Sequence, residues 1–85
     1  MKPVEIYTTP YCPYCLAAKR LLGRKGVTYT EIDVSQDMDL RIIMTKRAGG
    51  SRTVPQIFIG GKHVGGSDDL HALEDEGALD ALLTA

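Results

Sequence analysis

The stretch Val4-Glu5-Ile6-Tyr7-Thr8-Thr9-Pro10-Tyr11-Cys12-Pro13-Tyr14-Cys15-Leu16-Ala17-Ala18-Lys19-Arg20-Leu21-Leu22 decides the fold, because its apolar period changes across Thr9-Pro10. Before that point Val4 and Ile6 alternate with Glu5 and Tyr7, which predicts a strand over 3–8 with two unlike faces. After it, Leu16, Ala17, Leu21 and Leu22 recur at helical spacing while Lys19, Arg20 and Arg24 reach water. This predicts a helix over 13–24. Proline suits the first helical position, where its missing N–H costs nothing, and Gly26 ends the segment before Val27. The only two cysteines of the chain, Cys12 and Cys15, fall at the strand-to-helix junction.

Working outward, alternation over 28–34 predicts a second strand, so that strand, helix and strand form a parallel pair with a right-handed crossover. Ser35 or Asp37 is placed to cap a second helix over 38–48, with Leu40, Ile43 and Met44 as its apolar residues. Two short strands, 56–59 and 62–64, flank Gly60-Gly61, a pair suited to a type I′ hairpin turn. Ser67 is the expected N-cap of a last helix carrying Leu70 and Leu73, interrupted near Gly77 and resumed by Leu79, Leu82 and Leu83. The expected architecture is one α/β domain over 1–85, a three-layer α/β/α sandwich around a four-stranded mixed sheet.

Composition narrows the function. With 85 residues, 44% of them hydrophobic, the chain has an ordinary globular balance and no need of a disordered reading. The net charge of −1 argues against nucleic acid as the partner. No apolar run approaches the length of a membrane span and no signal-peptide pattern opens the chain, so a reducing, cytoplasmic setting is expected. Charge is nonetheless uneven. Arg41, Lys46, Arg47 and Arg52 belong to a basic stretch suited to a small anion, whereas acidic residues crowd the last third.

A disulfide between Cys12 and Cys15 closes only a tiny loop, which makes the pair a poor scaffold and a good reactive centre. Cys12, at the helix N-terminus, can face the unpaired N–H groups of Tyr14 and Cys15, where the helix field favours a negative sulfur. It is the expected nucleophile. Cys15, one turn deeper, is the expected resolving thiol that displaces a partner bound to Cys12. A zinc site is not expected, since only these two sulfurs have ligand spacing and His63 and His71 lie on other elements. Tyr14 offers an aromatic wall beside the sulfurs.

Two further motifs offer binding chemistry. Thr53-Val54-Pro55 leads into the strong strand Gln56-Ile57-Phe58-Ile59, and Pro55 pushes Val54 toward an extended backbone with which a peptide-like ligand can pair. Ser67-Asp68 opens a helix whose N–H groups suit a carboxylate, while the Asp68 side chain suits an ammonium. A zwitterionic amino-acid head group needs both. A second carboxylate would need a cation from Arg47, Arg52 or Lys46.

Cys12-Pro13-Tyr14-Cys15, Thr53-Val54-Pro55 and Gly65-Gly66-Ser67-Asp68-Asp69-Leu70 occur in the order and spacing of the glutaredoxin family, which the chain resembles over nearly its full length, most nearly the small bacterial dithiol class. The resemblance implies a thioredoxin fold with sheet order 2-1-3-4, strands 1 and 2 parallel and strands 3 and 4 antiparallel. It implies a cis Pro55 and glutathione, as co-substrate rather than bound cofactor, held by Tyr14, Thr53, Val54, Pro55, Ser67 and Asp68. The activity implied is reduction of protein–glutathione mixed disulfides and protein disulfides by a monomer, with ribonucleotide reductase as a family client. Many members carry a lysine where this chain has Thr9. Its loss throws the weight of thiolate stabilisation onto the helix N-terminus, and that of the glutathione carboxylate onto Arg47 or Arg52. Alternative functions are a redoxin reduced by a flavoprotein reductase, a glutathione-ligated iron–sulfur carrier and a zinc-binding interaction module. Iron–sulfur members usually have Gly-Phe and a final Ser in place of Pro13-Tyr14 and Cys15.

Overall fold

Alternation along β1 (Val4–Thr8) divides the protein into two cores, one on each face of its sheet. The computed structural model describes residues 1–84. β1 is followed by α1 (Pro13–Arg24), β2 (Thr30–Asp33), α2 (Met38–Arg47), β3 (Gln56–Ile59), β4 (Lys62–Gly65), α3 (Ser67–Asp75) and α4 (Leu79–Thr84). The strand order is β2-β1-β3-β4, with β2 parallel to β1, β3 antiparallel to β1 and β4 antiparallel to β3. This is the mixed sheet expected.

On one face Val4, Ile6, Ile57 and Ile59 meet Ala18, Leu21 and Leu22 of α1, with Leu70, Leu79 and Leu83 closing the layer. On the other, Tyr7, Val34 and Phe58 meet Met44 and Ala48 at α2. The period of two in β1 and β3 thus feeds both cores, and each fully buried Leu or Ile contributes roughly 1.5–3 kcal/mol. Within the layer on the first face, Lys25 ties the end of α1 to α3 and α4, with its ammonium 3.0 Å from Glu74 and 2.9 Å from Asp80.

Four local expectations shift. β2 is shorter than 28–34 because its only neighbour, β1, offers partners from Glu5 to Thr8 alone. In α2, capped by Asp37 through the Asp39 and Leu40 N–H groups at 2.9 and 3.2 Å, Ile43 is exposed, and Ala48, the C-cap that follows Arg47, is buried. In α1, Leu16 is exposed and Ala18 is buried instead. Ser67 is not the N-cap of α3. Gly66 is, and its N–H donates to the Asp69 carboxylate at 3.0 Å. That bond requires a glycine at 65, whose φ of +124° and contact with the Asp69 carboxylate leave no room for a Cβ.

Candidate active site

The sharp turn from β1 into α1 delivers Cys12 to the head of a helix. Tyr11, at φ +61°, reverses the chain, and Cys12 then takes the extended N-cap conformation with Pro13 as the first helical residue. Of the two N–H groups expected at the sulfur, that of Cys15 donates to Cys12 Sγ at 3.1 Å. The Val54 carbonyl oxygen lies 3.9 Å from the same sulfur, at the long end of a weak S–H···O contact. Cys12 is half-buried, whereas Cys15 is 1% exposed. Burial pushes the Cys15 thiol well above its ordinary value, and the neighbouring Cys12 sulfur adds to the rise. One sulfur is reachable and capped; the other is enclosed and held protonated.

Beside them runs a cleft of about 640 Å³. Tyr14, Thr53, Val54 and Pro55 line one part of it, and Ser67 and Asp68 line another, at the opening turn of α3. Arg52 also lines it, so three separated motifs converge on one groove. The Val54–Pro55 bond is cis, as the resemblance implied. Val54 precedes the ladder that starts at Gln56, leaving its main chain at the groove edge. The first N–H groups of α3 have no intrahelical acceptor, which makes that end of the groove attractive to an anion.

Arg47 does not join this groove. Its guanidinium grips Glu5 at 2.9 and 3.2 Å, donates to the Tyr7 hydroxyl at 2.8 Å and lies 4.1 Å from the Phe58 ring centroid. It clamps α2 to the sheet. Arg41 lines the groove in its place, donating to the Arg52 carbonyl at 3.1 Å. Sequence reasoning also missed Gln56, which is buried. Its amide nitrogen donates to Ser51 Oγ and the Thr53 carbonyl at 2.9 and 3.0 Å, and its oxygen meets His63 Nε2 at 2.7 Å. Gln56 thereby fixes the loop that presents Thr53 and Val54. The available signal was a lone amide opening an otherwise apolar strand. His71 Nδ1 stays local, 2.8 Å from the Ser67 carbonyl oxygen.

Comparison with known proteins matches this geometry. The family model described as Glutaredoxin covers residues 4–64. A glutaredoxin of Pseudomonas aeruginosa is 60% identical over 85 residues, spanning all of both chains. Glutaredoxin 3 of Escherichia coli is 52% identical over 83 residues, 98% of this chain and 99% of that one. Among solved structures, a glutaredoxin of Brucella melitensis is 60% identical with a TM-score of 0.86, covering 98% of this chain and 89% of that one. A buckwheat glutaredoxin–glutathione complex is 35% identical with a TM-score of 0.88, covering 98% and 77%. A capped, reachable thiol beside a buried one, on this fold and with these relatives, places the chain in the glutaredoxin family of thiol oxidoreductases.

Proposed function

We propose that the protein uses glutathione to reduce protein–glutathione mixed disulfides and protein disulfides, with Cys12 as nucleophile and Cys15 as resolving thiol. The observation that carries this reading is the Cys15 N–H on Cys12 Sγ, a sulfur 3.9 Å from the Val54 carbonyl oxygen, beside a groove lined by Tyr14, Val54, Ser67 and Asp68. Glutathione lies along the groove with its main chain against Val54 and its flank on Tyr14, Thr53 and Pro55. Its γ-glutamyl carboxylate meets the α3 N–H groups at Ser67 and Asp68, and its ammonium meets the Asp68 carboxylate. Its glycine carboxylate meets Arg41 and Arg52, the Arg47 guanidinium being engaged by Glu5.

In the first step the Cys12 thiolate attacks the glutathione sulfur of a mixed disulfide. A Cys12–glutathione bond forms, the client–glutathione bond breaks, and the client thiolate departs and takes up a proton. A second glutathione thiolate attacks the glutathione sulfur on Cys12, giving oxidised glutathione and free Cys12. With a protein disulfide, Cys12 bonds to a client sulfur, and Cys15 then displaces the client by forming the Cys12–Cys15 disulfide. Two glutathione molecules restore the dithiol.

Turnover of cysteine–glutathione disulfide, coupled to glutathione reductase, tests the reading. Arg41→Gln with Arg52→Gln is expected to raise KM for the glutathione moiety roughly tenfold with kcat little changed, since two charge-assisted contacts are lost from ground and transition states alike. An unchanged KM would remove the arginines from the site.

A further inference from the structure

The Cys12 sulfur stands between two cavities. The first is the groove on the β3–β4 side. The second, of about 510 Å³, lies on the β2 side and shares no lining residue with the first. Both Cys12 and Cys15 form part of its wall. At its rim, Tyr11 is fully exposed at φ +61° and Leu16 is 45% exposed. An aromatic ring held outward by a backbone conformation rare for bulky residues, next to an unburied leucine, makes an apolar lip. Lys19, Glu31 and Asp33 also line the cavity. Glu31 accepts from the Thr8 hydroxyl at 2.8 Å and pairs with Lys19 at 3.0 Å, so these two charges offset each other. Asp33, whose Oδ1 accepts the Ser35 N–H at 2.8 Å, carries the unbalanced negative charge, and the Ser35 hydroxyl, with that N–H, keeps its carboxyl below the ordinary range.

We propose that this second cavity seats the polypeptide flanking a client cysteine while that cysteine is bonded to Cys12, and that Asp33 selects a cationic side chain there. The chemistry requires such a space. Once Cys12 is joined to a client sulfur, the chain on either side of that sulfur needs a surface next to Cys12, and Cys12 is part of the wall of this cavity. Exposed apolar surface beside a net negative wall suits a segment with a lysine or arginine beside its cysteine. The inference rests on Cys12 being the nucleophile, and is independent of where glutathione binds.

Two short peptides, each carrying one cysteine as its thionitrobenzoate disulfide and flanked by lysines or by glutamates, provide the test. Cys12 attacks the peptide sulfur, the peptide–thionitrobenzoate bond breaks, and the coloured thiolate leaves with the bonding electrons. The initial rate of colour release should be about fivefold greater for the lysine peptide, as expected for one carboxylate near a cation at a solvated surface. Asp33→Lys should bring the rate ratio to one or below, while Glu76→Lys, the same charge change on exposed residue 76 beyond α3, should preserve it. Equal rates for both peptides, or equal effects of the two substitutions, would overturn the subsite. No release from either peptide would instead overturn the nucleophile assignment beneath it.

Discussion

Replacing Cys12 with serine is expected to abolish both reduction of glutathione mixed disulfides and reduction of protein disulfides, by a factor on the order of 10³ or more. The reason is chemical. In the proposed mechanism every route begins with attack by the half-buried sulfur that caps α1, and a serine hydroxyl at that cap keeps the hydrogen bond from the Cys15 N–H without supplying a sulfur nucleophile. The fold should therefore survive, since Ser is among the best N-cap residues. A circular dichroism melt unchanged within a few degrees, beside lost activity in the reductase-coupled assay, is the expected pair of results. Residual turnover above a tenth of the parent rate would place the attacking sulfur elsewhere.

Replacing Cys15 with serine should separate the two activities. In the proposed mechanism mixed disulfides with glutathione are resolved by a second glutathione, so their turnover should persist. Protein disulfides need an internal displacement, and their reduction should fall roughly tenfold or more. Cys15 is enclosed and held protonated by burial, which suits a thiol that acts only after a partner has been bound to Cys12. A serine there also places a hydroxyl in an apolar wall, so thermal stability should be measured in parallel. Equal loss of both activities in a folded variant would contradict the division of labour.

The strands were legible from the alternation of β1, the apolar run Ile57-Phe58-Ile59 and the Gly60-Gly61 turn, which takes positive φ at both residues as a type I′ hairpin demands. The sheet order followed from the family resemblance and not from a pattern within the strands. Element edges were less legible. Where β2 ends depends on how far β1 extends beside it, and whether Gly66 or Ser67 caps α3 depends on Asp69 reaching back to the Gly66 N–H. The arginines show the same limit at the site. On a helical wheel Arg41 and Arg47 lie about 60° to either side of Met44. One side faces Glu5 of β1 and the other faces the loop carrying Arg52. Nothing within α2 tells which is which; only the placement of the sheet beneath it decides. Motifs that carry their own geometry, such as Cys12-Pro13-Tyr14-Cys15, were readable, whereas roles set by packing between distant segments, as at Gln56, were not.

The proposed roles, Cys12 as reachable nucleophile and Cys15 as its enclosed partner, predict unequal labelling of the two thiols. Brief iodoacetamide labelling of the reduced protein at about pH 6 to 9, read by peptide mass spectrometry, addresses it directly. One carbamidomethyl group on Cys12, with Cys15 modified only after unfolding in denaturant, is the predicted result. Comparable labelling of both cysteines in the folded protein, or a first adduct on Cys15, would contradict it.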